Sequence, residues 1–323
     1  MIIMTLVLIG IAAFYQFVVR PTITNKVELP PAGSAQFLCS PQTLEKHVRA
    51  LCELPEYRSH HNPKALNEAA RYITNEWQAM GFEVREQKFM SDNQEYKNLI
   101  TSFGPKGGQK IVIGAHYDVH GDQPGADDNA SAVAGLLELS RLLKDQNTHT
   151  KYEIELVAYT LEEEPNYATQ TMGSYVHAKS LHDQNATVRL MISIEMIGYF
   201  KDEPNTQTFP FPLLKLDYPT VGNYIAIVSN LKTMELTRDL KKLFAEHSKV
   251  PVYSINAPKI IPGVDFSDHR SYWKFNYPAA MITDTAFYRN FNYHQKTDTP
   301  DTLDYSRMSQ VVSGIYGIVK GIT

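Results

Sequence analysis

Cysteine is nearly missing from this chain. Cys39 and Cys52 are the only two among 323 residues, and neither stands in a CxxC or CxxH arrangement, which argues against zinc held by thiolates. Whether they pair in an oxidising compartment or remain two structural thiols is open from spacing alone. Long runs of one charge are missing too: 31 Lys and Arg face 35 Asp and Glu, a formal net charge of -4. Without a basic stretch, nucleic acid is excluded as a partner, and a small or peptide-like ligand fits better. There is no HExxH, so the chain does not carry the one-helix zinc protease design. Internal repeats and low-complexity tracts are absent, while 43% of the residues are hydrophobic, enough for the core of one large α/β domain or two small ones.

One long apolar run is present, and it stands first. "MIIMTLVLIGIAAFYQFVV" carries no charge for nineteen residues before Arg20, long enough to cross a bilayer core as a helix. It shows neither a basic n-region nor a clear small-x-small cleavage site. Residues 1–20 therefore read as a transmembrane anchor or signal segment. The rest is expected to be membrane-anchored or exported, on a periplasmic or extracellular face, at the inner membrane if the segment stays uncleaved. Residues 21–38 hold three prolines and little periodicity, as a linker does, and the folded domain is expected over 39–323.

Within that domain, residues 41–54 and 63–81 have helical periodicity, and "FEVREQKFM" alternates like a strand. Strands over 110–116, 152–160 and 188–198 then alternate with helices over 130–143 and 172–182. A Pro- and Phe-rich insertion runs to about residue 220. After it come strand "YIAIVS", a helix over 233–247, a short strand near "VPVYSI", strand "AAMITDT" and a last helix over 301–321. That order predicts an α/β fold with a mostly parallel central sheet and helices on both faces.

Open α/β sheets bind ligands beyond the carboxyl ends of their strands. There this sequence concentrates imidazole and carboxylate. "GAHYDVHGDQPGADDNASAV" sets His116, Asp118, His120, Asp122, Asp127 and Asp128 between a strand and a helix. Glu162, Glu163 and Glu164 follow the next strand, Glu195 lies near the end of the third, and His294 stands beyond "AAMITDTAFYRNFNY". Bare carboxylates at one rim repel one another and raise each other's pKa unless cations neutralise them. A mixed imidazole and carboxylate set without cysteine suits zinc, with manganese or cobalt as substitutes, better than calcium.

Five motifs, "GAHYDV", "PGADDNASAV", "LEEEPNY...MGS", "IEMIGYF" and "YHQKTDTPDTLDY", follow in this order. Together they resemble the M28 family of co-catalytic zinc aminopeptidases, to which glutaminyl cyclases are related, from about residue 40 to the end. The resemblance implies a single zinc-peptidase (phosphorylase/hydrolase-like) catalytic domain with two zinc ions per chain. Asp128 would bridge both ions, His116 and Glu195 would complete one, Glu163 and His294 the other, and Glu162 would be the general base. Pro124, Gly125 and Asp128 match the family's Pro-Gly-x-x-Asp spacing, which selects Asp128 over Asp127. One departure is Glu195, where many members have Asp.

Asp118, two residues beyond His116, is expected to accept the other ring N–H of His116 and fix its tautomer, or to be a simple turn residue. The resemblance suggests that Asp268 and His269 lie at the pocket side, against the alternative of an N-cap and a core histidine. Tyr288 and Arg289 are candidates for contact with the oxyanion or substrate backbone, or are structural. Asp298 is a candidate partner of His294, while His120, Asp122 and Asp127 read as loop, rim or packing residues. The function implied is a membrane-anchored or exported di-zinc aminopeptidase acting on N-terminal residues of peptides. The alternatives are a zinc-dependent glutaminyl cyclase and a non-catalytic receptor or scaffold on the same fold.

Overall fold

Two capped helices open the domain. In α1 (Pro41–Cys52) the Ser40 hydroxyl accepts the amides of Gln42 and Thr43, and in α2 (Pro63–Ala79) the Asn62 side chain accepts that of Ala65. Proline at the first helical position costs no hydrogen bond there. Leu44, Val48 and Leu51 on α1, and Leu66, Ala69, Ala70, Ile73 and Trp77 on α2, form apolar stripes at three- and four-residue spacing. Trp77 is completely buried, its indole N–H donating to Ser140 Oγ at 2.9 Å.

The computed structural model describes residues 38–322, with Thr5 and Gly10 besides. The expected anchor and linker, apart from Thr5, Gly10 and Leu38, lie outside the described residues. Among the described residues no helix is long and apolar enough to cross a membrane. Cys39 and Cys52 are free thiols, which decides the question left open by their spacing.

After the two helices come β1 (Arg85–Ser91), β2 (Gln94–Phe103), β3 (Lys110–His116), α3 (Ala132–Asp145), β4 (Glu153–Tyr159), α4 (Gly173–Asp183) and β5 (Val188–Glu195). The remainder is β6 (Ile225–Ser229), α5 (Met234–Ala245), β7 (Val252–Asn256), α6 (His269–Lys274), β8 (Ala279–Thr283) and α7 (Tyr305–Ile322). They build one eight-stranded sheet in the order β1-β2-β4-β3-β5-β8-β6-β7. The pairs β4/β3, β3/β5, β5/β8 and β6/β7 are parallel, while β1/β2, β2/β4 and β8/β6 are antiparallel. Strand β2 is an addition to the sequence reading. Its residues Gln94 to Asn98 are largely polar, and it follows β1 through a two-residue turn at Asp92 and Asn93, both at positive φ, a hairpin geometry that Asp and Asn tolerate.

Alternate residues of the central strands face opposite layers. Ile111, Ile113, Ala115, Leu190, Ile192 and Ile194 pack with α1, α2, α3, α5 and α7. Val112, Val157 and Met191 pack with Ala178 and Leu181 of α4 and Tyr272 of α6. Register then aligns the strand ends: His116 pairs with Tyr159 across β3/β4, and Glu195 with Thr283 across β5/β8. Because these strands are parallel, the loops after β3, β4, β5 and β8 all open at one edge.

His177, completely buried on α4, lies 2.6 Å through Nδ1 from the Tyr272 hydroxyl. Burial, then the charges of Arg85 and Lys110, lower its pKa from 6.5 to about 3. A base whose folded pKa is depressed favours the folded state fully above its unfolded pKa and loses that contribution as pH falls toward the folded value. Stability is therefore expected to drop as pH falls from about 6.5 toward about 3. His177→Gln removes the ionisation and should flatten that decline, read as the denaturant midpoint against pH.

Candidate active site

Each loop at the carboxyl edge delivers one part of a compact cluster. β3 ends on His116, whose Nε2 lies 3.4 Å from Asp128 Oδ1 and 3.4 Å from Glu195 Oε2 at the end of β5. The other oxygen of Asp128, Oδ2, lies 3.3 Å from His294 Nε2, and that nitrogen is 3.2 Å from Glu163 Oε2. One carboxylate thus faces two imidazoles, one through each oxygen. Glu162 stands beside them, its Oε2 3.8 Å from His116 Nε2. His116, Asp128, Glu162, Glu163 and Glu195 are all buried.

Other side chains hold these loops from behind. Asp118 accepts the backbone N–H of Glu162 at 3.2 Å and of Glu163 at 3.1 Å. It also places Oδ1 3.5 Å and its carbonyl oxygen 3.2 Å from His116 Nδ1, so it positions the histidine and both glutamates. Asp298 accepts the N–H groups of Asp127 and Asp128 at 2.9 and 3.1 Å, an arrangement different from the expected contact with His294. Asn129 ties the Asp128 turn to the end of β5, donating to Ile194 O and accepting from Met196 N. Ser267 donates to Glu195 Oε2 at 2.6 Å. Buried Arg58 donates to the carbonyls of Pro124 and Gly125, both at 2.5 Å. Gly125 has φ +60°, and a Cβ there would come 2.3 Å from the Asp128 carbonyl oxygen, so the tight turn before Asp128 requires glycine. Leu161, Met196 and His294 also have positive φ, a conformation uncommon outside glycine and tolerated where surrounding contacts impose it.

The electrostatics reflect crowding. Burial pushes up Glu162, and the charges of Glu163 and Glu195 add to it although His116 opposes them. Burial and the Asp128 charge bring Glu163 up to about 8, and burial raises Glu195. Burial opposes ionisation of Asp128 as well, but the imidazoles of His116 and His294 facing its two oxygens hold it below the usual carboxylate range. His294 is brought up to about 10 against its burial by Asp128 and Glu163.

These donors fit a metal. His294 Nε2 and Glu163 Oε1 are shielded from solvent without a hydrogen-bond partner. One donor atom each from His116, Asp128 and Glu163 lies within 4.8 Å of the others. Cations among them would relieve the repulsion and satisfy those atoms together.

Beside the cluster lies a cavity of about 470 Å³. Asp128, Glu162, Glu163, Glu195 and His294 form one wall. The rest is largely apolar, including Phe209, Leu214, Tyr218, Tyr224, Phe266 and Phe287. The insertion after Gly198 and the loop before Asp265, neither with a recognisable sequence pattern, supply much of this lining.

Of the expected substrate contacts, Tyr288 lines the cavity, its hydroxyl donating to Pro262 O. Arg289 is buried outside the lining and donates to Gln207 Oε1 and Tyr199 O. Asp268 and His269 are likewise completely buried outside it. His269 donates from Nε2 to Val264 O at 2.9 Å, while burial brings Asp268 up to about 7. None of these three side chains lines the cavity, and both carboxylate oxygens of Asp268 are shielded from solvent without a hydrogen-bond partner. Asp127 corrects its rim reading: it is completely buried, accepting from Gly198 N and Asn290 Nδ2. His120 and Tyr293, not singled out as site residues from sequence, both stack on His294. The alternation of His116, Asp118 and His120 along an extended segment is the signal that favours a common side for them.

The family model for peptidase family M28 matches residues 98–319. The uncharacterized protein YfbL of Escherichia coli K12 is 45% identical over 284 residues, 85% of this chain and 86% of its own. A probable leucine aminopeptidase of Arthroderma otae is 25% identical over 69% of this chain, which spans 55% of that relative's length. Among solved structures, the LapA aminopeptidase of Legionella pneumophila has a TM-score of 0.70 at 20% identity, covering 92% of this chain and 76% of LapA. A Bacteroides thetaiotaomicron glutaminyl cyclase bound to N-acetylhistamine gives 0.66 at 17%, covering 91% and 99%. At such identities the two structures establish the fold alone.

Asp298→Ala leaves the amides of Asp127 and Asp128 without their acceptor. It is expected to destabilise the protein by about 1–3 kcal/mol for each buried amide left unpaired, and Asp298→Asn by less. The measurement is the denaturant midpoint at constant slope.

Proposed function

The chain belongs to peptidase family M28, and from that premise we propose that it is a di-zinc aminopeptidase that removes N-terminal residues from peptides. The observation that carries this reading is Asp128 between two imidazoles, with Oδ1 toward His116 and Oδ2 toward His294. His116, Asp128 and Glu195 would hold one zinc ion, and Asp128, Glu163 and His294 the other. Zinc bound there would acidify a water molecule and polarise the peptide carbonyl.

The remaining chemistry belongs to the chain's own groups. Glu162, adjacent to Glu163 and fixed by the bond from its amide to Asp118, takes the proton of the attacking water and delivers it to the leaving amine. Asp118 keeps His116 oriented. The acidic wall attracts the substrate's α-ammonium group, and the apolar cavity takes the side chain of the first residue. A space of about 470 Å³ with aromatic and aliphatic walls favours bulky apolar side chains over charged ones. The apolar run at residues 1–20 would hold this activity at a membrane or direct its export.

The glutaminyl cyclase alternative shares the fold and donor set, so the reaction itself must separate them. Aminoacyl-nitroanilides assayed beside a glutaminyl peptide are expected to release nitroaniline, fastest with large apolar residues, and to yield no pyroglutamate. Pyroglutamate without nitroaniline would establish the cyclase instead. Glu162→Gln should retain metal while losing about 10²- to 10⁴-fold in kcat; activity near wild type would reject Glu162 as the base. Chelation should abolish activity and lower the melting temperature. Less than one zinc per chain with unchanged melting would point to the non-catalytic scaffold.

A further inference from the structure

Large apolar side chains are unevenly exposed on this molecule. Among the described residues, Phe211, Leu213, Leu216, Ile260, Phe266 and Phe291 stand open to solvent in the later half of the chain, and Tyr57 and Met90 are the others. Leu216 and Ile260 are the most open of the rim, at 78% and 82%. Both belong to segments that close the cavity, Phe209 and Leu214 lining it from one and Ile261 and Val264 from the other. The two segments are neighbours, because the apolar clusters that hold Leu214 and Val264 share Tyr253 and Ile255 of β7. The short turn of helix over Pro212–Leu216 buries Leu214 and presents Leu213 and Leu216 outward.

Cations accompany this rim. Lys215 stands between Leu213 and Leu216, Lys259 precedes Ile260, and within 209–218 and 257–264 the one acid is Asp217. Lys259 also lines a second cleft, of about 500 Å³, together with Lys232, Trp273 and Tyr277. Burial, then the charges of Arg270 and Lys259, lower the pKa of Lys274, a sign of cations crowded on this face. On a chain of net charge -4, exposed leucine and isoleucine interleaved with lysine match an anionic lipid surface: the apolar groups enter the acyl boundary and the ammonium groups meet headgroup phosphates. The chain also has the reach. Fully extended, the linker from residue 21 to Leu38 spans at most about 60 Å, at least the breadth of a domain of this size, so the domain can turn this face toward a bilayer that holds residues 1–20. Resting on the anchor reading of those residues, we propose that the rim around Leu213, Leu216 and Ile260 docks on an anionic bilayer surface, with Lys215 and Lys259 against its headgroups. The cavity then opens at the membrane surface.

The full chain with vesicles of phosphatidylglycerol and phosphatidylcholine carrying brominated acyl chains, which quench tryptophan on contact, tests this. Leu216→Trp and Ile260→Trp probe the rim, and Met90→Trp probes an exposed position on β1, at the opposite end of the sheet from β7; the emission of Trp77 and Trp273 in the unsubstituted chain is subtracted. Against unbrominated vesicles the added emission at 216 and 260 is expected to fall at least about twofold, and that of Met90→Trp to stay unchanged. Lys215→Glu with Lys259→Glu, or phosphatidylcholine alone, should restore most of the emission of Leu216→Trp. Flotation of the protein with the vesicles reports on the anchor separately. Flotation without quenching at 216 and 260 keeps the anchor and overturns the rim proposal, as does equal quenching of Met90→Trp. Quenching that ignores both charge changes overturns the assignment to an anionic surface. Flotation with anionic vesicles only, accompanied by quenching at the rim, supports the rim and corrects the anchor reading, and absence of flotation with either lipid overturns both.

Discussion

The carboxylates of Asp128, Glu162, Glu163 and Glu195 are buried beside the imidazoles of His116 and His294. Their mutual repulsion is the condition that the surrounding structure must tolerate. Loose loops would splay apart under it. Each acidic loop is instead pinned by a side chain from elsewhere in the chain: Asp118 grips the Glu162–Glu163 backbone, Asp298 grips that of Asp127 and Asp128, and Asn129 joins the Asp128 turn to the end of β5. Two of these anchors, Asp118 and Asp298, are themselves carboxylates bonded to backbone amides, so the cluster is preorganised by backbone dipoles.

The sheet makes such a site possible because parallel strands bring their carboxyl ends to one edge. With His116 opposite Tyr159 and Glu195 opposite Thr283, groups far apart in sequence arrive at the same height. A slip of one residue would turn His116 away from the cluster and put its neighbours' core side chains on the wrong face. The same alternation that buries Ile111, Ile113 and Ala115 therefore sets the chemistry. Core packing and site geometry are two consequences of one register.

The cavity is built largely from a different part of the chain. Beyond Gly198 the polypeptide supplies an insertion, β6, β7 and the loop before Asp265, and these enclose the apolar side of the cavity. The wall carrying Asp128, Glu162, Glu163, Glu195 and His294 meets an aromatic wall drawn mostly from the second half of the fold.

Much of this was legible in residue order alone. Apolar runs at 110–116, 152–160 and 188–198 marked the central strands because fully buried parallel strands need continuous hydrophobicity, and the charge just beyond each run marked the rim. Strand β2 escaped because its half-exposed, partly polar sequence is also what a loop looks like, and its pairing is set by the hairpin turn and by β4. The positions of Asp127, Asp298, Arg289 and His120 depended on tertiary structure for a similar reason. Asp298 is separated from Asp127 by 171 positions and Arg289 from Gln207 by 82, and no local pattern distinguishes a carboxylate that caps distant amides from one that faces solvent. Residue types and their order at strand ends determined which groups reach the rim. Only the folded chain decided which of them face one another, because hydrogen-bond partners are chosen by distance in space and not along the backbone.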